Sequence, residues 1–288
     1  MCLTLPALAL ATGCVTTRRV TVLSAGMGDS YFTTPDGEWF QPTDFCRGPW
    51  DPDACHAGPP TGILARASEL AVPHQPLARI TVDLIRPVPQ AGFRVASEVV
   101  RSGKTVSTTL MRVFAADGKE VITARGLHQA AVGEGELDDV PTTPYVPPPL
   151  AEAVDGPFPV GRAAHDLPFF RQSVRVRYNP GERTEAGPKR VWMAALPLLP
   201  DEEPSPFQRI CPLADCANAF GRTTDDLGYA YMNTDLTVLL HRPPQGEWLG
   251  MDVLGRWEPT GVGMSDAVLF DELGAVGKSL QTLLLRRR

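Results

Sequence analysis

Alternation of apolar and polar side chains is the strongest signal in this chain, and it comes in two blocks. In the first, residues 78–86, 93–101 and 105–114 read as β-strands. The last runs through Ala116-Asp117-Gly118-Lys119, an Asp-Gly turn, into a fourth strand over 120–129. Ahead of them, Ile63, Leu64, Ala67 and Leu70 recur at helical spacing within 59–71. The second block repeats this order. A helix is expected over 206–220, opened by Ser205 and Gln208 at capping-box spacing with Pro206 in the first helical position. Pro212 should kink or restart it. Strands follow over 232–242, 248–257, 263–270 and 276–285.

One offset relates the blocks. Arg86-Pro87 and Arg242-Pro243 lie 156 positions apart, and the same shift superposes Thr81 on Thr237, Val82 on Val238 and Leu84 on Leu240. It continues without a gap to Val106 and Val262, Phe114 and Phe270, and Gly118 and Gly274. A register held this long points to internal duplication of one folding unit. The expected class is therefore α+β, with two curved antiparallel sheets each wrapped around one long helix. Between the blocks, Gly133 to Gly135 and then Pro141, Pro144, Pro147-Pro148-Pro149, Pro157 and Pro159 read as an extended, semi-rigid connector. The implied division is an N-terminal extension over 1–26, a first unit over 27–131, a linker over 132–160 and a second unit over 161–288.

Composition narrows the function. The 288 residues are 43% hydrophobic and 21% charged, which excludes disorder and supplies ample core. A net charge of −6 gives no electrostatic footprint for nucleic acid. Six cysteines without a Cys-x-x-Cys pair make neither a disulfide scaffold nor half a zinc site, so a cytoplasmic location is expected. The apolar run over 3–15 has its arginines, Arg18 and Arg19, after it rather than before, and is too short to span a bilayer. Asp51, Asp53, Cys55 and His56 crowd into a Pro-rich loop where they cannot easily converge on one ion, so no metal is expected.

With these elements in place, several segments resemble the double-hotdog acyl-CoA thioesterases, specifically the acyl-CoA thioesterase II group and its thioesterase-like relatives. The matching pieces are Gly48-Pro49-Trp50, His56-Ala57-Gly58-Pro59-Pro60 and Asp83-Leu84-Ile85-Arg86-Pro87 in the first half. In the second they are Leu213-Ala214-Asp215, Asn233-Thr234-Asp235-Leu236-Thr237, His241-Arg242-Pro243 and Ser279-Leu280-Gln281. The resemblance implies hydrolysis of acyl-CoA without a metal or redox cofactor. It also implies a water-holding triad of an Asp on the second helix, a small hydroxyl residue at the start of the next strand and a Gln on the last strand. Asp215 and Gln281 match the first and third, while Asn233 stands at the hydroxyl position, with Thr234 or Thr237 as substitutes if the alignment slips. His56 is placed at the mouth of the acyl site or as a cap of the following helix. Gly58 lies where a helix start could bring backbone N–H groups against a ligand, and Thr234 is a further substrate contact.

Each residue also has a plainer reading. Asp215 could face solvent from its helix, Gln281 could make a cross-strand hydrogen bond, and Asn233 could simply begin a strand. Arg286-Arg287-Arg288 could meet a CoA phosphate or be a solvated tail. Three functions compete. The first is an acyl-CoA hydrolase. The second is a hydratase, disfavoured because Phe220 stands five residues after Asp215 where that chemistry uses a His. The third is a non-catalytic acyl or acyl-CoA binding module, kept open by Asn233. Oligomeric state is open, although a duplicated chain already supplies what single units obtain by pairing.

Overall fold

The computed structural model describes residues 30–133, 135–159 and 163–288. The expected extension over 1–26, and the residues at the junction of linker and second unit, lie outside these. Two short strands, β1 (Phe32–Thr33) and β2 (Trp39–Pro42), precede helix α1 (Gly58–Ala71). The first block follows as β3 (Leu77–Leu84), β4 (Phe93–Arg101), β5 (Val106–Ala115) and β6 (Glu120–Gln129). Next come β7 (Val154–Asp155), β8 (Arg175–Tyr178), β9 (Lys189–Ala194), α2 (Pro206–Ala214) and α3 (Ala217–Phe220). The chain ends with β10 (Tyr229–Asn233), β11 (Asp235–Leu240), β12 (Leu249–Trp257), β13 (Val262–Asp271) and β14 (Gly274–Arg287).

The repeat is visible in the strand order. Along the sheet the sequence β4-β5-β6-β3 is answered by β11-β14-β13-β12, with β2 and β1 beyond β4 and with β9, β8 and β7 beyond β12. Strand bounds also repeat, since β4 and β12, and β5 and β13, start and end 156 positions apart. Gly118, in the tight turn before β6, and Gly274, the first residue of β14, are related by the same shift and hold φ of +79° and +136°, a region L side chains rarely adopt.

Three expectations are corrected. The sheets are not separate, because β3 pairs antiparallel with β11 and makes one continuous sheet. The strand expected over 232–242 is interrupted at Thr234, giving β10 and β11, both of which pair with β14. The second unit has no long helix. Pro212 is tolerated inside α2, and the helix ends two residues later at Ala214, beyond which the Cys216 N–H turns back to the Leu213 carbonyl at 3.0 Å. Asp215 thus caps a helix instead of sitting within one.

All three helices pack against this sheet. One core runs through both halves, with Ile63 and Leu64 of α1, Ile80, Met111 and Ile122 of the first block, and Ile210, Leu236, Val238 and Met251 of the second. At the helix contact there is no room for side chains. A Cβ on Gly58 would come within 2.7 Å of the Pro212 carbonyl, and one on Gly62 within 2.7 Å of Leu198. The start of α2 is tied to α1 by polar groups as well. Ser205 accepts the Gln208 N–H at 3.1 Å as a helix cap, and its hydroxyl donates to Glu69 at 2.8 Å. The Gln208 amide does not return to Ser205 as the capping-box spacing suggests but donates to Glu69 at 2.6 Å. The result presses the beginning of α1 against the end of α2, and the candidate site forms there.

Candidate active site

Why Asp215 has partners follows from where α2 ends. The last carbonyls of a helix need donors, and here two side chains on the inner face of β14 supply them. Ser279 donates to the Ala214 carbonyl at 2.8 Å, and the Gln281 amide to the Asp215 carbonyl at 3.1 Å. The same Gln281 nitrogen lies 3.0 Å from Asp215 Oδ1. Asn233, at the end of β10, donates to that oxygen at 2.8 Å, and its own carbonyl oxygen accepts from Asn218 of α3 at 3.3 Å. On the other side, His56 Nδ1 is 3.0 Å from Asp215 Oδ2. The His56 ring is stacked on Phe170, with centroids 3.9 Å apart and planes 8° from parallel.

The carboxylate is nearly sealed, at 2% exposed, and Gln281 at 3%. A carboxylate has about four acceptor directions, and three are taken by two amides and an imidazole, which leaves one on Oδ2. Beside it, Gln281 Oε1 is buried without a partner, because both hydrogen bonds of that amide leave through its nitrogen. Ser265, directly across from Gln281 on β13, is fully buried and its hydroxyl is likewise unpartnered. Unsatisfied buried polar atoms are costly, and two of them on paired residues next to the Asp215 cluster call for water or a polar ligand.

Helix α1 contributes one donor. Pro59 and Pro60 have no N–H, and the Thr61 N–H is spent on the Ala57 carbonyl at 3.0 Å. Gly58 N lies 3.3 Å from His56 Nδ1. That nitrogen cannot both accept from Gly58 and donate to Asp215, and a carboxylate at 3.0 Å favours the tautomer with hydrogen on Nδ1. The Gly58 N–H is directed at that nitrogen, and with hydrogen on Nδ1 it has no acceptor there, at the positive end of the helix.

Asp215, Asn233, Gln281, His56 and Gly58 therefore come together. Thr234 does not. Its hydroxyl points to the Thr282 carbonyl on the other side of the strand, and Thr237 reaches Thr81. Cys216, next to Asp215, is no nucleophile, since burial and then the nearby Asp215 charge push its thiol well up. Asn218, Ser265 and Phe170 were invisible to sequence reasoning, because none belongs to a motif and each acts through a contact made only by folding. Among the described residues no group of His, Cys, Asp and Glu side chains could hold a metal ion.

A continuous antiparallel sheet of this order packed on helices is the architecture of the hotdog-fold thioesterases. The acyl-CoA thioesterase N-terminal domain family matches residues 46–129, and the acyl-CoA thioesterase C-terminal domain family matches residues 144–285. The chain belongs to the acyl-CoA thioesterases and is a thioester hydrolase. Solved structures share the fold. A thioesterase II candidate from Thermobifida fusca is 16% identical, covering 91% of this chain and 100% of its own, with a TM-score of 0.68. A hot dog fold protein of unknown function from Alicyclobacillus acidocaldarius is 16% identical over 90% and 97%, with a TM-score of 0.66. An acyl-CoA thioesterase II from Mycobacterium marinum is 16% identical over 90% and 96%, at 0.58. No curated protein matches the chain. Among the described residues no helix is long and apolar enough to cross a membrane.

Proposed function

We propose that this protein hydrolyses an acyl-CoA to the free acid and CoA, using a water held at Asp215. The reading that fits is a double hotdog of two units, 27–131 and 161–288, joined by 132–160 and working in the cytoplasm without metal or redox cofactor. One observation carries it: the buried Asp215 carboxylate is fixed by Asn233 and Gln281 on Oδ1 and by His56 on Oδ2, with one acceptor direction left over.

Water donates one hydrogen to that open direction and another to Gln281 Oε1, which aims its oxygen lone pair at the thioester carbonyl carbon. As the C–O bond forms, the proton passes to Asp215 and the carbonyl oxygen becomes an oxyanion. The Gly58 N–H at the start of α1 is the donor available to it. Collapse of the tetrahedral intermediate breaks the C–S bond, and the departing thiolate takes the proton back from Asp215, which releases CoA and restores the carboxylate. His56 holds the carboxylate in register, with its ring braced on Phe170. Asn233, an amide in place of a hydroxyl, serves the same end by donating to Asp215 and accepting from Asn218.

Acyl-CoAs of graded chain length, offered to the purified protein with a thiol reagent, test this. CoA release is expected, falling at least about 10²-fold in Asp215→Asn, the low end of what a general base contributes. Equal release by the two proteins removes the hydrolytic role of Asp215 and leaves an acyl-CoA binding module.

A further inference from the structure

The face of β10 that ends in Asn233 begins, two and four residues earlier, with Tyr231 and Tyr229. Alternate residues of a strand share a face, so the site residue and both tyrosines lie along one line. Tyr229 is paired with Arg287 of β14, whose guanidinium lies 5.0 Å from the tyrosine ring centroid. Tyr231 meets Trp50 edge to face at 5.7 Å and Trp257 at 5.0 Å. Arg288 covers Trp50 at 4.6 Å. The loop carrying Trp50 is the one that leads into His56 and α1, so aromatic and basic groups from both halves converge at one end of the site.

Among the described residues these guanidiniums have no counter-ion. Arg287 and Arg288 are exposed, and no carboxylate among the described residues forms an ion pair with either. In a chain of net charge −6 that is an unusual place to find two free cations side by side. Aromatic faces hold both, which lowers the entropy lost when they grip a ligand. The distance is also apt. Four residues of strand separate Tyr229 from Asn233, about 14 Å, and in CoA an extended pantetheine arm of that order parts the thioester from the phosphates.

We propose that Arg287 and Arg288, with Trp50 and Tyr229 beneath them, receive the phosphorylated adenosine end of CoA. The proposal rests on the acyl-CoA reading above and gives it a direction: the nucleotide lies outside at the end of β10, the thioester at Asn233 and Asp215. Arginine forks pair with phosphate oxygens, while the indole and phenol rings offer a surface for adenine.

The test uses the full chain and its Arg287→Glu, Arg288→Glu double variant, with two substrates bearing the same acyl group. One is the acyl-CoA; the other is the acyl-N-acetylcysteamine thioester, which has no nucleotide. The ratio of kcat/KM for the first over the second is expected to fall at least about tenfold in the variant. A ratio within about twofold of wild type overturns the proposal. Calorimetry with adenosine 3′,5′-bisphosphate gives a reading that needs no turnover. Its dissociation constant should rise at least about tenfold in the variant, and an unchanged constant, or no binding to wild type, overturns the subsite. If wild type cleaves neither thioester yet binds the nucleotide and the variant does not, the hydrolytic reading fails while the subsite stands.

Discussion

Thr81 and Thr237, 156 residues apart in sequence, face each other across the β3–β11 pairing with their hydroxyl oxygens 3.3 Å apart. The position on which the repeat superposes is thus the position at which the two halves meet, so an approximate two-fold axis passes between these side chains. Such an axis would generate two equal sites, but only one holds a buried carboxylate bound by two amides. Gln281 pairs with Ser265, and the residue pairing with the equivalent Thr109 is Gly126. The space an amide would fill is taken by Ser68, whose hydroxyl lies 2.6 Å from Thr109 and 2.8 Å from His128 Nε2. Gly126→Ala would drive its Cβ into Ser68 and Thr109. We expect a loss of roughly 1–3 kcal/mol by urea denaturation, as for other overpacked cores, with kcat retained. An undiminished midpoint would mean that this plug is loose.

Asn233 makes three contacts and is tested by size and polarity. Asn233→Ala removes the donor to Asp215 and the acceptor for Asn218, and should lower kcat by about 10–100-fold at nearly constant KM, the worth of one hydrogen bond to a charged group. Asn233→Thr restores a short donor and should recover most of that loss. If Ala and Thr variants are equally poor, the amide is needed for shape, not for its hydrogen.

How much of this was legible beforehand depends on the range of the cause. The strands β4, β5, β6, β12 and β13 stood out because their alternation and Asp-Gly turn are local. Strands β8 and β9 did not, being short and set among prolines and charges, and they form because the open edge of β12 gives them a partner. The end of α2 at Asp215 was hidden, since Pro212 advertises a break that the packing against Gly58 does not require. The nearness of Asp215 and Gln281 is implied by the resemblance, whereas the contact from His56 to Asp215 joins opposite halves of the chain and leaves no mark in spacing.

His56 is predicted to act by position. His56→Phe keeps an aromatic ring for the stack on Phe170 and deletes the donor to Asp215 Oδ2. The ring keeps the packing, so stability should fall by only about 1–3 kcal/mol for the unpaired oxygen while kcat falls about 10–100-fold. His56→Gln, which can still reach with an amide N–H, should regain part of the rate. A His56→Phe enzyme with wild-type kcat would show that Asp215 is held well enough by its amides.

The Arg-Pro turn has a structural duty. Asp271, with its side chain 1% exposed, takes two hydrogen bonds from Arg242, at 2.6 and 2.7 Å, and others from the Gln245 and Leu273 N–H groups. Burial works to raise its carboxyl, but Arg242 and these donors outweigh burial and hold it below the ordinary 3.8. A carboxylate lowered on folding stabilises above its unfolded value, and that contribution fades as pH falls below about 4. Asp271→Asn should cost on the order of 3 kcal/mol at neutral pH, by thermal or urea unfolding, with a shallower decline in acid.

Lys189 gives the opposite dependence. It is 2% exposed, and its Nζ donates to the carbonyls of Glu185, Gly187 and Phe220 at 2.7, 2.9 and 2.8 Å, which ties α3 to β9. Burial, then the positive charges of Arg222 and Arg183, push the ammonium down from 10.5 to about 8. Between these values the unfolded chain binds more protons than the folded one, so the contribution of this group to stability grows as pH rises through the window. The wild-type urea midpoint, compared with that of Lys189→Met, should thus gain ground from pH 7.5 to pH 10. The variant should be weaker at every pH, because three buried carbonyls lose their donor. Parallel curves for the two proteins would mean that the folded Lys189 titrates at its ordinary value. Because α3 also carries Asn218, which holds Asn233, the variant should lose activity in step with stability.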